Sequence, residues 1–514
     1  MRLVKIISFC LTILSAFVVD QDLYAQDFLA LSGGNYSGLY DTYDNPSKMT
    51  SNKLYLDINL LGNSFSMNSN YAFLKGSDYR INSFFVEDYQ IPTYYDSEDE
   101  LRYFDIYRND KLKFGNLYNH TMGPGAMIAY ERYAFSLTTA SKQLFSFENM
   151  TQDVGNFLYE AIDFDYQHNT LFIHHEPEKM KLGYLGWSEV GFGFAYTFFR
   201  KGWDFLAAGV TLKPLFASFG GYFRLDDVEY VVYNDTVADF PMASFEYATG
   251  GSIDRDANYK NISFTSPFFN NFGFGGDIGI TYQRTAHIHK YPFHGRICEW
   301  DYEPYNYRIS VSLSDLGYVN FYRNSSAHIY KNANSHWEDY SDTIVANSLN
   351  SFDLKLQKYF DPTLRQEHGS YFKMYLPSVL NIEADYPINS RNFLHAKVVI
   401  PFNLGEDYLM RSSSITVNYR YETRWFDIGV PLTIYDYNWK RPKVGLALRF
   451  GNFMMGSDRF SNIFGLNDIT GFDFYFGYRI SLSRVFKTRF IKGLCDPYRD
   501  YNIETFDYRQ YRNR

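Results

Sequence analysis

Beyond its amino-terminal leader the chain has no apolar run approaching the roughly 18 residues a membrane helix needs, so helical membrane topology is excluded. Cysteine is almost missing. Of three, Cys10 lies in the leader, and Cys298 and Cys495 are too far apart in sequence to define a disulfide scaffold; one bridge or two free thiols are both open. The Gly-x-x-x-x-Gly-Lys pattern of phosphate-binding loops does not occur, and neither does the Gly-x-Ser-x-Gly elbow of serine hydrolases. Basic excess is also lacking: a net charge of −9 argues against nucleic-acid binding. The chain is therefore read as a non-enzyme with no catalytic residue, cofactor or nucleic-acid partner.

What the chain does have is aromatic residues, 48 Tyr and 48 Phe among 514, arranged in alternation. Between Phe472 and Leu482 every second residue is apolar or aromatic, with Asp473, Gly477, Arg479 and Ser481 between them. Side chains alternate faces along a strand, so such a segment is greasy on one side and polar on the other. Arg2 and Lys5, the apolar stretch Ile6 to Val19 and Leu23-Tyr24-Ala25 before Gln26 read as an export signal over residues 1–25. Repeated dyads behind an export signal predict an all-β, transmembrane, antiparallel outer-membrane β-barrel, with Tyr and Phe at its lipid interfaces. A large secreted β-sandwich alternates too and is the competing architecture.

Candidate strands come in hairpin pairs. Lys53 to Leu61 turns at Gly62-Asn63 and returns through Phe65 and Met67; Met127 to Thr139 turns at Glu131-Arg132; Val190 to Phe198 and Phe205 to Leu212 flank Arg200-Lys201-Gly202. Phe274 to Tyr282, Tyr307 to Leu313, Val379 to Tyr386, Phe393 to Ile400, Ile415 to Tyr421, Phe426 to Leu432, Val444 to Phe450 and Phe472 to Leu482 bring the barrel, over residues 53–483, to about 14 strands. The intervening segments Lys75 to Pro124, Lys142 to Gly186, Asp226 to Asn271 and Lys331 to Tyr375 are long enough to imply folded loops. Gln26 to Asn52 does not alternate and is expected to fill the lumen as a plug. The tail, Arg484 to Arg514, holds eight Lys/Arg against four Asp/Glu among many aromatics, which suits docking on an acidic partner or lipid surface, or closure of one barrel end.

Taking the polar phase of each strand puts Asp57, Asp277, Glu383, Asp385, Glu422 and Asp473 in the lumen with Arg308, Lys397, Arg420, Lys443, Arg449 and Arg479. The signs balance. A selective pore would show a field of one sign, so balance points to an interior joined by salt bridges or occupied by a plug.

Several blocks resemble a Bacteroidetes outer-membrane β-barrel family, domain of unknown function 5723. They are Gly123-Pro124-Gly125-Ala126-Met127-Ile128 with Tyr133 to Thr139, Trp187-Ser188-Glu189-Val190-Gly191, Ala208 to Lys213, Asp277 to Tyr282, Asp315-Leu316-Gly317, Leu376-Pro377-Ser378 with Ala384-Asp385-Tyr386, and Gly456-Ser457-Asp458. Asn45-Pro46-Ser47 is similar to the Asn-Pro-Ala element near the mature start of long-chain fatty-acid outer-membrane transporters, with Ser47 in place of Ala. The resemblance implies a barrel in the outer membrane and brings no catalytic residues.

Metal-binding signals are weak. His287-Ile288-His289 with His294 and Cys298 has ligand-type residues without a second pair, His174-His175-Glu176 has less, and Asp96 to Glu100 lacks the glycine and spacing of a calcium loop. No metal site is assigned. Two functions follow: a barrel in outer-membrane lipid giving passage or binding to a small apolar molecule, or a non-transporting barrel subunit of an envelope secretion or assembly complex.

Overall fold

Alternation along the strands becomes a closed wall once each strand finds two neighbours. The computed structural model describes residues 33–481, with breaks at 79–94, 97–100, 161–170, 253–270, 286–304, 339–348, 361–364 and 461–467 and at single positions or pairs elsewhere. The export signal, His287, His289, His294, Cys298, Cys495, the tail and most of the acidic segment after Asp96 lie outside the described residues.

Fourteen antiparallel strands close into a barrel. They are β1 (Leu56–Ser69), β2 (Lys113–Met122 with Gly125–Tyr130), β3 (Tyr133–Met150), β4 (His174–Lys201), β5 (Asp204–Val232), β7 (Asn271–Thr285), β8 (Tyr305–Phe321), β11 (Phe372–Tyr375 with Ser378–Pro387), β12 (Asn392–Phe402), β13 (Ser414–Glu422), β14 (Phe426–Tyr435), β15 (Lys443–Val444 with Leu446–Phe450), β16 (Phe453–Ser457) and β17 (Gly471–Ser481). β1 pairs with β17 across the seam, Ile58 opposite Ile480, so no barrel edge is left open. The described chain begins and ends at one rim, the turn end, where the hairpins β2–β3, β4–β5, β11–β12, β13–β14 and β15–β16 turn; the connections after β1, β3, β5, β8 and β12 leave from the other, the loop end.

The wall keeps the dyad. Along β3, Phe135 and Leu137 are exposed while Ser136 and Thr138 are buried; along β7, Ile278 and Ile280 are exposed while Asp277 and Thr281 are buried. Outward rings meet across strands, as Phe135 and Phe194 do at 5.3 Å.

The strand count matches the sequence expectation through two compensating differences. Lys53 to Met67 is not a hairpin: β1 runs straight through Gly62-Asn63. Its register shifts between Asn59 and Leu61, which puts Leu60 and Leu61 both outward and reverses the apolar phase. That reversal mimics a turn in the sequence. In exchange, β16, only five residues long, gave no periodic signal.

Two of the long segments taken as loops contribute strands to the wall. Lys113–Met122 is half of β2, β3 continues to Met150 and β4 starts at His174. β4 and β5, 28 and 29 residues long, rise beyond their neighbours at the loop end. There β5 leaves β7 after Ala217 and pairs instead with β6 (Val237–Gly251), which pairs with β9 (Ser325–Glu338) and through it β10 (Arg365–Gly369). Helix α2 (Leu349–Tyr359) covers this raised sheet: Leu356 and the adjacent Phe360 join Val228, Phe245 and Tyr330 in one buried cluster. Helix α1 (Gln152–Glu160) stands in the connection between β3 and β4.

Candidate functional site

All of the charged residues assigned to the lumen from strand phase are buried. The structure sorts them into separate groups and adds partners that strand phase did not include.

The first group surrounds residues 33–52, which lie inside the barrel at the turn end as two short 3-10 helices, Gly38–Thr42 and Pro46–Thr50. Asn45 caps the second, its Oδ1 accepting from the Ser47 amide at 3.0 Å and the Ser47 hydroxyl at 2.6 Å. The Ser47 hydroxyl also meets Thr281 of β7 at 2.7 Å, a bond that an alanine could not make. Pro46 sits at the first helical position, where its fixed φ suits the turn. The wall grips this segment through its charges. Arg479 donates to the carbonyls of Tyr36 and Ser37 and pairs with Asp57 at 3.2 Å, while Asp57 accepts from the Leu39 amide at 2.8 Å. Lys48 pairs with Glu383, Lys397 reaches Asp44 at 2.5 Å, Arg308 donates to the Gly33 carbonyl at 2.6 Å, and Glu422 accepts from the Asn35 side chain at 2.8 Å. Asp385 joins Arg308 and Arg420 behind them, at 3.3 and 2.9 Å.

Two glycines set how closely segment and wall approach. Gly38 has φ +61°, and a Cβ there would lie 2.0 Å from Asp57 Oδ2; a Cβ on Gly209 of β5 would lie 2.5 Å from the Pro46 carbonyl carbon and the Ser47 amide.

A second group sits toward the loop end. Lys142 pairs with Asp315 at 2.7 Å and Glu189 at 3.2 Å; Lys213 pairs with Asp277 at 2.8 Å, Asp315 at 3.1 Å and Glu189 at 3.4 Å; Arg411 pairs with Asp315 at 2.7 Å. Three cations meet three anions, so the group is neutral when each carries its ordinary charge. Of these residues only Asp277 was assigned to the lumen from the sequence. The rest were missed because Lys142 fell in a segment taken as loop, Glu189 and Lys213 just beyond the strand bounds, Asp315 past the end of its strand and Arg411 in the connection between two strands. A signal existed: Glu189, Lys213, Asp277 and Asp315 come from four separate family-like blocks, which the fold brings to one point.

Smaller pairs complete the wall. Arg449 pairs with Asp427 at 2.5 Å and lies 5.0 Å from the Tyr36 ring, Asp473 lies 3.5 Å from Arg459, and Lys443 is buried nearby. His175 stacks on Tyr230 at 4.3 Å and lies 3.3 Å from Asp153, an aromatic and carboxylate setting on the raised sheet.

Above the neutral ion group the lumen turns apolar. Leu144, Trp187, Leu215, Phe321, Met374 and Leu376 form a layer into which the β12–β13 connection folds, burying Tyr408 and Leu409. Trp187 joins the two levels, its ring in the layer and its Nε1 donating to Glu189 at 3.2 Å. The lumen is thus filled from both ends: residues 33–52 from the turn end, residues 408–413 from the loop end.

The profile described as "Family of unknown function (DUF5723)" matches residues 46–458. The chain belongs to that family. No curated protein matches it. Among solved structures, this DUF5723 chain is similar to the Ralstonia pickettii toluene transporter TbuX (10% identity, 89% of this chain and 100% of that one, TM-score 0.39). It is also similar to the Pseudomonas putida toluene transporter TodX (8% identity, 90% and 97%, TM-score 0.36) and to the translocator domain of autotransporter NalP from Neisseria meningitidis (8% identity, 86% and 96%, TM-score 0.29). At such identities the likeness does not extend to function. Within the DUF5723 match lie both fillings of the lumen, apart from residues 33–45, and the whole neutral ion group.

Proposed function

We propose that this DUF5723 protein is an outer-membrane β-barrel that takes up a small apolar molecule in the loop-end half of its lumen. The observation that carries the reading is the change of lining at Trp187: below it the lumen is polar and ion-paired, above it buried apolar side chains from six wall strands converge under a loop that supplies Tyr408 and Leu409. Concave apolar linings with few polar groups are where small molecules bind. Residues 1–25, read as an export signal, and the closed barrel support an outer-membrane location; barrels there set long loops outside, which turns the apolar half toward the exterior. Residues 33–52 act as a plug at the periplasmic end, held by Arg479, Lys48, Lys397 and Arg308. Passage requires both fillings to move; binding requires only the loop.

The test is equilibrium binding of naphthalene to the purified barrel in detergent, read by quenching of Trp187 and checked against Trp187→Phe. Saturable quenching that is lost on filling the layer with Leu215→Trp supports the reading; its absence in wild type and in a barrel lacking residues 403–413 rejects it. A second reading, a non-transporting subunit of an envelope complex, is favoured by the raised sheet of β5, β6 and β9, which stands beyond the barrel rim. Co-purification of envelope proteins that is lost when β6, β9 and α2 are removed would support that one.

A further inference from the structure

Tyr408 is held in a slot supplied by β5 and β6 where they rise into the raised sheet. Its ring stacks on Tyr222 with centroids 3.5 Å apart and planes 10° from parallel, Phe372 meets Tyr222 edge-on at 5.9 Å, and the Arg224 guanidinium lies 5.9 Å from the Tyr408 ring. The Tyr408 hydroxyl donates to Glu246 at 2.8 Å, and Glu246 is itself paired with Arg224 at 3.3 Å. Arg224 and Glu246 are directly opposite each other in the β5–β6 ladder, and Tyr222 opposite Ala248. Ring platform, cation and acceptor therefore sit on rigid neighbouring strands. The occupant is different: it comes from a connection between β12 and β13, on another part of the barrel.

We infer that the slot formed by Tyr222, Arg224 and Glu246 is a binding site for a single-ring phenol-class molecule, with Tyr408 as the chain's own stand-in for that ligand. This rests on the apolar-binding reading above and narrows it. An aromatic face takes any flat ring, and stacking alone does not discriminate among apolar molecules. A buried carboxylate positioned at the ring's far edge does discriminate, because a ring without a hydroxyl forfeits the bond that Tyr408 makes to Glu246, and sites built around a hydroxyl reject analogues that lack it. The guanidinium over the ring adds attraction to an electron-rich π face, which a phenol offers. Since slot and occupant lie on different elements, withdrawal of residues 408–413 exposes a site already assembled, and ligand and Tyr408 compete for it.

The test uses the full chain as a purified barrel, with folding checked by heat-dependent gel mobility, and two probes: 4-cresol, which is the tyrosine side chain as a free molecule, and toluene, the same ring without the hydroxyl. In Tyr408→Ala the slot is vacated, so 4-cresol affinity rises at least about tenfold over wild type and exceeds that of toluene by about tenfold or more, as a hydrogen bond to a charged acceptor gives. Adding Glu246→Gln to Tyr408→Ala brings the two probes together. If Tyr408→Ala binds both probes equally, the phenol inference fails while apolar binding stands. If it binds neither, both fall. Should Tyr408→Ala not fold, Tyr408→Phe keeps the stack and loses only the bond to Glu246; 4-cresol then binds more tightly than to wild type, and an unchanged affinity overturns the inference.

Discussion

Arg411 lies 2.7 Å from Asp315, and through that contact a loop from one rim is tied to a residue that also anchors Lys142 and Lys213 of the wall. Asp315 is itself held in place: its φ is +55°, its amide donates to Asp277 at 2.8 Å, and its carbonyl accepts from the Ser378 hydroxyl at 2.9 Å. Loop seating and wall are thus one electrostatic unit.

Replacing Arg411 with Met removes one cation from a neutral buried group. Breaking a buried pair from one side costs about 3–5 kcal/mol, and the lower end is expected because Asp315 retains two lysines. The loop should leave the lumen. In a background without Cys298 and Cys495, Ser412→Cys, buried in the native lumen, should react slowly with a water-soluble maleimide and much faster once Arg411→Met is added. Equal rates would show that Arg411 does not hold the loop.

The segment at the turn end should respond to backbone geometry. Gly38→Ala forces a left-handed residue to carry a Cβ, costing about 1–2 kcal/mol before its clash with Asp57 is counted. Residues 33–52 should be displaced, raising permeation of small solutes in liposomes toward the level seen when the segment is deleted. Unchanged permeation in both variants would reject its role in closing the lumen.

Orientation of the wall predicts opposite tolerances at neighbouring sites. Leu448 faces out, whereas Ala447 is fully buried in a cluster with Tyr40 and Met454. Leu448→Arg should cost about 2–4 kcal/mol if near the bilayer midplane, while Leu448→Phe is tolerated and Ala447→Phe is not. Refolding yield into lipid vesicles measures all three.

On the raised sheet, beyond the closed barrel, His336 and Asp239 pair across β9 and β6. The hydrogen bond to Asp239 pushes the His336 pKa up, and the same bond holds Asp239 below the ordinary aspartate value. The raised histidine contributes below its ordinary value and loses that contribution as pH rises through the raised one; the depressed carboxylate contributes above its ordinary value and loses it as pH falls. The contact is therefore complete between about pH 4 and 6.5. NMR titration of His336 should give a pKa above 6.5 that returns toward it in Asp239→Asn.

The sequence by itself determined the phase of the wall. Alternation is a property of each strand alone, so which residues face outward and which face inward could be read without knowing any partner, and every charge assigned inward on that basis is buried. Where the phase was broken locally, as at the β1 bulge, or the strand was too short to show a period, as in β16, the reading failed. What fills the lumen was decided only by tertiary structure. Lys142, Glu189, Lys213, Asp277, Asp315 and Arg411 lie on six different elements, and their meeting depends on strand register around a closed barrel, which no single segment encodes. The same holds for Tyr408 on Tyr222: the stack exists because one connection turns inward, and nothing in the residues flanking Tyr408 distinguishes that course from an outward one.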